Sequence, residues 1–171
     1  MITFLIAACL IILFGAVAFR GAPYVPTHKV TIVAALELLK PYMRKGDTVL
    51  DLGSGDGSVL LQAAKKGYRA VGYELNPLLN SIAWLRCWRR HVHVTIHLHD
   101  YWIAHWPPET KAVFVFLAGP YMNKLRRKLD AEMAKRTEPL YVVSNGFAIP
   151  GVLPKKISGG LYLYELKPGK R

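Results

Sequence analysis

The stretch Val49-Leu50-Asp51-Leu52-Gly53-Ser54-Gly55-Asp56-Gly57 decides how this chain folds. It contains an apolar run with an acid near its end, followed by three glycines at every second position. Glycine permits a tight turn and positive φ, and it lets a ligand approach the backbone. We therefore expect a buried strand that turns into a helix over roughly Ser58 to Lys66. The N-terminal N–H groups of that helix would face a nucleotide-like ligand.

The glycine spacing and the acid favour one class of ligand. Dinucleotide folds usually show G-x-G-x-x-G, whereas the pattern here is D-x-G-x-G-x-G. The stretch resembles motif I of class I S-adenosylmethionine (SAM) methyltransferases. SAM carries an ammonium that Asp51 can hold directly or through water, whereas a pyrophosphate would be repelled. A NAD-type fold and a glycine-rich turn without a ligand are the alternatives for this stretch.

Length and charge limit the possible function classes. The chain has 171 residues, enough for one domain with a core. It carries 23 Lys and Arg against 11 Asp and Glu, a formal charge of +12. Such a balance favours an anionic partner surface, such as lipid head groups, nucleic acid or an acidic protein. The two cysteines, Cys9 and Cys87, fall in an apolar segment and a predicted helix, so no disulfide framework is expected.

The N-terminal segment is apolar. Residues 2–19 contain no charge and one polar side chain, Thr3. As a helix they would span ~27 Å, close to the hydrocarbon thickness of a bilayer. The sequence therefore predicts a transmembrane anchor over residues 1–20, with a cleaved signal peptide or a buried core helix as alternatives. Because Arg20 follows the run and no basic residue precedes it, we expect a single-pass membrane protein whose catalytic domain faces the cytoplasm.

A second segment, residues 21–40, links the anchor to the predicted domain at 41–171. It is rich in proline up to Pro26, and Thr27 is a good helix N-cap. A helix is predicted from His28 to Lys40, because its apolar residues fall on one face. A plain linker is the alternative interpretation. In many methyltransferases such a segment closes over the methionine end of SAM.

Three stretches in this order make the resemblance specific: Tyr24-Val25-Pro26-Thr27, then residues 49–57, then Val71-Gly72-Tyr73-Glu74-Leu75-Asn76-Pro77. The chain resembles, over nearly its whole length, the small protein-lysine methyltransferases. These are an archaeal enzyme and membrane-anchored mitochondrial enzymes that modify the ATP synthase c-subunit and the adenine nucleotide translocase. The resemblance implies an α/β, Rossmann-like class I methyltransferase fold. Its mostly parallel seven-stranded sheet would end in an antiparallel hairpin, and one transmembrane helix would precede it.

The candidate cofactor residues follow the strand ends. Glu74 ends the second predicted strand, and a carboxylate there accepts both ribose hydroxyls of SAM or NAD alike. In class I methyltransferases an acid at the position of Asp100 accepts from the adenine amino group, and the backbone of the next residue, Tyr101, reads the ring. The predicted SAM-binding residues are Tyr24, Thr27, Asp51, Gly53, Ser54, Gly55, Gly57, Glu74, Leu75, Asn76, Asp100, Tyr101 and Leu117.

The fourth predicted strand leads to the substrate side. Methyltransferases that act on adenine or glutamine amino groups often carry Asn or Asp where this chain has Ala118. The lack of such a polar side chain at Ala118 disfavours a planar amine as the substrate and leaves room for a lysine side chain. Tyr121 either lines that channel or caps the next helix, and Asn145 follows the fifth strand. Tyr121 and Asn145 are the candidate catalytic residues, both as lining of the substrate channel.

Two further clusters have open interpretations. A predicted helix ends in Arg86, Arg89 and Arg90, with Trp84 and Trp88 interleaved. Either the arginines complement the helix dipole while one or both tryptophans pack in the core, or the cluster faces a membrane or nucleic acid. A run of histidines at 91, 93, 97 and 99 reads as the polar face of a strand. No metal site is predicted there, since no cysteine or closed ligand set accompanies it.

We therefore expect a SAM-dependent methyltransferase that acts on a lysine ε-amine of a protein, in particular a membrane protein. An anionic lipid surface is the second expected partner, and nucleic acid is not expected. The alternatives are an RNA methyltransferase, a small-molecule or lipid methyltransferase, and a non-catalytic SAM-binding scaffold.

Overall fold

The computed structural model describes residue 4, residues 25–90, residue 92 and residues 94–169. In this part of the chain, strands and helices alternate up to the fifth strand, except that no helix separates the third strand from the fourth. The helices are α1 (Lys29–Leu39), α2 (Ser58–Lys65), α3 (Pro77–Trp88) and α4 (Met122–Met133). The strands are β1 (Thr48–Leu52), β2 (Arg69–Glu74), β3 (Val94–Leu98), β4 (Thr110–Val115), β5 (Leu140–Asn145), β6 (Lys156–Ser158) and β7 (Leu161–Leu166). Single 3-10 turns occupy Lys40–Tyr42 and Gly119–Tyr121.

The strands form one seven-stranded sheet in the order β3-β2-β1-β4-β5-β7-β6. The first five strands pair in parallel, and β7 runs antiparallel to both β5 and β6. Gly159 and Gly160, with φ of 56° and 78°, form the turn between β6 and β7. Two positive φ values in a two-residue loop are what a primed hairpin turn requires. The predicted sheet and its closing hairpin are therefore observed.

Helices cover both faces of the sheet. Successive side chains of β1 therefore enter two different apolar clusters, one on each face. Val49 belongs to the apolar cluster beneath α1 and α2, whereas Leu50 and Leu52 belong to the cluster beneath α4. Because β1 is buried on both faces, it reads as a continuous apolar run rather than an alternating one. Asp51 interrupts that run and is itself buried.

The predicted helix after the proline-rich segment is α1, and it belongs to the same core. Its buried residues are Ile32, Ala35, Leu36 and Leu39. The predicted cap is wrong, because His28 occupies the N-cap position and no side chain caps the helix. The backbone N–H of Ile32 bonds the carbonyl of His28, which moves the helix start one residue past Thr27.

The predicted fold class also contained a transmembrane helix, and this requires correction. Among the described residues no helix is long and apolar enough to cross a membrane, since the longest, α3 and α4, have 12 residues each. The run at residues 1–20, on which the prediction depended, lies outside the described residues apart from Phe4. Composition alone favoured the span, whereas the fold observed is the Rossmann-like α/β sheet without it.

Candidate active site

Most of the described residues predicted to bind a cofactor lie on or next to the strands at which the strand order reverses. The chain moves from β1 outward to β2 and β3, then returns to β4 on the other side of β1. In open α/β sheets the crevice at such a point, beyond the carboxyl ends of the strands, is the usual place for a ligand. The loop of residues 53–57 leaves β1 at this position.

The glycine loop has the conformation that its sequence predicts. Gly53, Gly55 and Gly57 all have positive φ, at 80°, 51° and 75°. Gly57 is also a packing position, because a Cβ atom there would lie 2.8 Å from the Cβ of Ala83 on α3. The third glycine therefore lets α3 approach the start of α2, in addition to any role toward a ligand.

Glu74 is fixed by the backbone on both sides of the crevice. One carboxylate oxygen accepts a hydrogen bond from the N–H of Gly55 at 2.8 Å, and the other accepts from the N–H of Asn76 at 2.8 Å. The side chain is 9% exposed. Each oxygen retains lone-pair capacity, so the pair of oxygens can still accept two hydroxyls of a cis-diol.

Asp51 is a buried carboxyl whose ionised form would be stabilised by a nearby positive charge. Burial raises the pKa of Asp51 to about 8, and the neighbouring charges of Glu74 and Asp56 act in the same direction. All three influences disfavour the carboxylate, and a ligand cation at this position would reverse that balance. A buried acid whose ionised form needs a cation, beside a carboxylate that can still accept a diol, fits a ligand that carries both an ammonium and a ribose.

Ser54 adds an unused polar atom under the loop. It is 5% exposed, and within the described residues its hydroxyl has no hydrogen-bond partner. Gly72 on β2 leaves the space that Ser54 occupies, since a Cβ there would lie 2.7 Å from the Ser54 side chain. An orphaned hydroxyl beside a ligand loop is consistent with a polar group that arrives with the ligand.

Three aromatic side chains form a rim beside the loop. A Cβ at Gly53 would lie 3.8 Å from the ring of Tyr101, so that ring stands over the glycine loop. The ring centroid of Trp102 lies 4.7 Å from that of Tyr101 and 6.5 Å from that of Tyr121. Burial and the nearby Asp100 raise the pKa of Tyr101, so its hydroxyl stays neutral. The structure thus brings Tyr101 and Tyr121, predicted for cofactor and substrate, onto one rim.

The remaining predicted residues have varied surroundings. Asp100 accepts from the N–H of Trp102 at 2.9 Å, which sets the turn that carries the rim. The Asn76 side chain accepts from the N–H groups of Leu78 and Leu79 and so caps α3. Thr27 and Leu75 are half-buried, Leu117 is 4% exposed, and Tyr24 lies outside the described residues.

Asn145 ends β5, opposite Leu161 of β7, and is half-buried. The sequence places Phe147, two residues further on, at the same strand end but assigns it no role; it is 42% exposed. The Phe147 ring lies 3.5 Å from the position of a Cβ at Gly119, in the segment that leads to Tyr121. Phe147 thus adds a fourth aromatic residue near Tyr121. The available sequence signal was an aromatic residue in the loop just after a strand end.

Sequence reasoning also missed the ion pair that holds the loop. Arg86 on α3 lies 2.6 Å from the carboxylate of Asp56 and also donates to the hydroxyl of Ser58. Partial burial raises the pKa of Asp56, but the hydrogen bonds from Ser58 and the charge of Arg86 outweigh it and lower the pKa. The guanidinium therefore ties α3 to the start of α2.

Two members of the histidine run, His97 and His99, lie in the described part of the chain. Within the described residues no group of three His, Cys, Asp or Glu side chains could hold a metal ion. His97 stacks on Tyr73 with ring centroids 5.1 Å apart, and His99 meets the same ring edge-on at 6.4 Å. His91 and His93 lie outside the described residues.

A sequence model of the ANTKMT methyltransferase domain matches residues 51–156. The chain is 34% identical over 139 residues to the lysine N-methyltransferase of the ATP synthase c-subunit from Xenopus laevis, with 80% of this chain and 58% of that protein covered. It is 37% identical over 140 residues to the adenine nucleotide translocase lysine N-methyltransferase of Mus musculus, with 80% and 58% covered. The chain thus spans a little over half the length of these relatives.

Two further likenesses extend the comparison. A protein-lysine N-methyltransferase of Saccharolobus islandicus is 32% identical over 142 residues, with 79% of this chain and 83% of that protein covered. Among solved structures, an RNA methyltransferase from Salinibacter ruber in complex with S-adenosyl-L-homocysteine has a TM-score of 0.74 and 28% identity. That match covers 86% of this chain and 95% of the other.

Proposed function

This chain belongs to the ANTKMT methyltransferase domain family, and from that premise we propose that it transfers a methyl group from SAM to a lysine ε-amine of a protein. The observation that carries the proposal is the pair of acids at the glycine loop. Asp51, buried and surrounded by negative charge, meets the ammonium of the cofactor, and Glu74 meets its ribose hydroxyls. Asp100 and Tyr101 stand where the adenine would lie.

The cofactor supplies the methyl group on a sulfonium, which is already a good leaving group. The protein's part is then mainly positioning, that is, alignment of amine, methyl and sulfur. The amine must first lose a proton, which costs about 4–5 kcal/mol at pH 7 for a free lysine. Burial of the lysine stem among Trp102, Tyr121 and Phe147 disfavours the ammonium form, and the proton passes to water before the amine docks.

The nature of the rim supports a lysine over a planar amine. Ala118 and Gly119 offer no side-chain amide or carboxylate to hold an amino group attached to a ring or carbonyl. The rim supplies aromatic surface instead, which suits the four methylene groups of lysine. The names of the relatives, lysine N-methyltransferases of the ATP synthase c-subunit and of the adenine nucleotide translocase, support the same substrate class.

We place the target protein at a membrane and the domain on its cytoplasmic side. The support is the charge of +12, which favours an anionic surface, and an exposed apolar face on α3. SAM is a cytosolic metabolite, and the buried thiol of Cys87 is free.

A test of the function uses labelled SAM with membranes of the source cell, followed by gel separation. We compare wild type with Asp51→Asn and, as a matched control, with Glu138→Gln, which alters an exposed acid just before β5, at the amino ends of the strands. A protease-sensitive labelled band that Asp51→Asn abolishes and Glu138→Gln preserves is the expected result. Label only in solvent-extractable material would instead indicate a lipid or small-molecule substrate. Binding of SAM without label transfer would favour a scaffold.

An RNA methyltransferase is the second candidate, favoured by the charge and by the structural likeness to the RNA methyltransferase of Salinibacter ruber. The missing side-chain amide or carboxylate at Ala118 argues against base amines. Nuclease-sensitive label in the same experiment, lost uniformly with added salt, would replace the lysine proposal.

A further inference from the structure

Helix α3 buries almost none of its large side chains. Only Ala83 and Cys87 are fully buried, four residues apart on one face. Five large apolar residues of this 12-residue helix are exposed to solvent. They are Leu78 (51% exposed), Ile82 (39%), Trp84 (58%), Leu85 (44%) and Trp88 (62%). A surface helix of a globular domain normally turns polar side chains outward, so this distribution is inverted.

The packing beneath the helix explains why the large residues face outward. The backbone of Ala83 comes so close to the glycine loop that a Cβ at Gly57 would lie 3.0 Å from the Ala83 Cα. A large side chain cannot fit on that inner face. The apolar residues therefore occupy the outer face, with Leu78, Ile82 and Leu85 along one ridge at i, i+4 and i+7. Trp84 and Trp88 stack beside that ridge with ring centroids 5.9 Å apart and planes 4° apart.

The edge strand β3, against which α3 packs, adds one more exposed apolar residue, and the helix itself has one sign of charge. Leu98, at the end of β3, is 57% exposed and lies on the same side of the strand as Val94 and Ile96, which pack beneath α1 and α2. Residues 77–90 contain three arginines and no acid. Arg86 is paired with Asp56, but Arg89 and Arg90 are exposed and form no ion pair within the described part of the chain.

We propose that the outward face of α3, with Leu98 beside it, docks on an anionic lipid surface. Tryptophans and arginines side by side at the edge of an apolar patch suit the boundary between acyl chains and head groups. Exposed arginines near such a surface are attracted by anionic lipid. Because α3 begins three residues after Glu74, the docked face adjoins the edge of the sheet that carries the candidate site. The inference does not depend on which substrate is methylated.

Other occupants fit less well. A second copy paired by a two-fold axis would bring the same acid-free face against itself, with Arg89 and Arg90 unneutralised. A nucleic acid would use the arginines and a tryptophan face, but it would leave the leucine and isoleucine ridge exposed.

Residues 2–19 are apolar and can bind lipid themselves, so the test uses the full chain with a readout confined to this face. In every protein tested, Trp102 and Trp106 are replaced by phenylalanine, so that only Trp84 and Trp88 are quenched. Vesicles of phosphatidylcholine, with or without phosphatidylglycerol, carry brominated acyl chains that quench nearby tryptophan. The variant Leu78→Ser/Leu85→Ser keeps both of these tryptophans, and the matched control Ile103→Ser/Leu153→Ser alters exposed apolar residues elsewhere. We expect strong quenching of wild type and control on anionic vesicles, and most of it lost in the α3 variant. Far-ultraviolet circular dichroism checks that the variant is folded.

Charge is tested in the same way. Arg89→Glu/Arg90→Glu should weaken docking on anionic vesicles about tenfold or more, since each basic residue near such a surface contributes about 1 kcal/mol. Lys65→Glu/Arg127→Glu, which reverses two other charges, should have a smaller effect. Equal quenching of wild type and the Leu78/Leu85 variant would overturn the proposal. So would a lipid-free dimer that the variant dissociates, RNA binding that it abolishes, or protection of Trp84 and Trp88 from aqueous acrylamide before lipid is added.

Discussion

At the residue scale, Asp51 shows a conflict between stability and ligand binding. An aspartate normally ionises near pH 4, whereas burial raises the pKa of Asp51 to about 8 in the folded chain without ligand. The folded state therefore binds this proton more tightly than the unfolded state. This contribution to stability is complete below about pH 4 and is lost as the pH rises through 8.

The first prediction follows from that sign. Asp51→Asn should stabilise the ligand-free protein at pH 7, by an amount on the order of a few kcal/mol, since one pKa unit corresponds to about 1.4 kcal/mol. The advantage over wild type should shrink toward pH 4 and reach its maximum near pH 8. Urea unfolding at several pH values measures it. A variant less stable than wild type at pH 7 would show that the Asp51 carboxylate has a favourable partner in the folded chain.

The second prediction concerns the same proton during binding. S-adenosylhomocysteine carries the ammonium that we assign to Asp51, so its binding should release the proton from that carboxyl. Below about pH 8 the affinity should fall as the pH falls, by up to about tenfold per pH unit. Calorimetry in buffers of different ionisation enthalpy measures the released proton directly. Asp51→Asn should bind weakly and release none, whereas proton release unchanged in this variant would assign it to another group.

At the element scale, two helices meet through a glycine and an ion pair. Gly57 starts α2 with a positive φ, and Ala83 of α3 fills the space next to its Cα. Arg86 then ties the same two helices through Asp56 and Ser58. The glycine loop is thus held in place by α3 as well as by the strand before it.

The third prediction separates backbone strain from crowding at this junction. Gly57→Ala should be strained by its positive φ and should also push against Ala83, whereas Gly159→Ala has a positive φ of 56° with nothing within 4 Å. Strain alone costs roughly 1–2 kcal/mol. Gly57→Ala should therefore destabilise the protein clearly more than Gly159→Ala, as measured by thermal unfolding. Equal losses of stability in the two variants would mean that α3 moves away from the new Cβ atom at no cost in free energy.

At the scale of the whole molecule, the site is assembled from segments that only the sheet brings together. The ends of β1 and β2 and the turn after β3 supply its acids, while the segments after β4 and β5 supply Tyr121 and Phe147. A ligand that touches several of these segments should stabilise the entire domain, because the unfolded chain cannot bind it.

The fourth prediction is a thermal shift. S-adenosylhomocysteine at about 100 times its Kd should add about 2.7 kcal/mol to the free energy of unfolding and raise Tm. Glu74→Gln should lose most of this shift, because the amide presents N–H donors where Gly55 or Asn76 also donates. Glu138→Gln is the matched control and should keep the full shift. A full shift in the Glu74 variant would contradict the assignment of this residue to the ribose.

Local sequence signals determined much of this protein. The predicted family is confirmed by the match over residues 51–156. The predicted sheet and its hairpin are also observed. These elements were predictable because strand, turn and helix propensities depend on near neighbours and on apolar periodicity. The roles assigned to the site residues stay predictions, although the structure brings Asp51, Glu74, Tyr101 and Tyr121 around one crevice.

Only the tertiary structure decided the rest. It placed the N-cap of α1 at His28 instead of Thr27, and it turned Trp84 and Trp88 outward. It also paired Arg86 with Asp56, and it buried Asp51 close to the negative charges of Glu74 and Asp56. These features depend on which residues far apart in the chain come into contact, and on how much water they exclude. Composition and spacing describe neighbours along the chain, so they carry no information about contacts between distant residues or about the water that those contacts exclude.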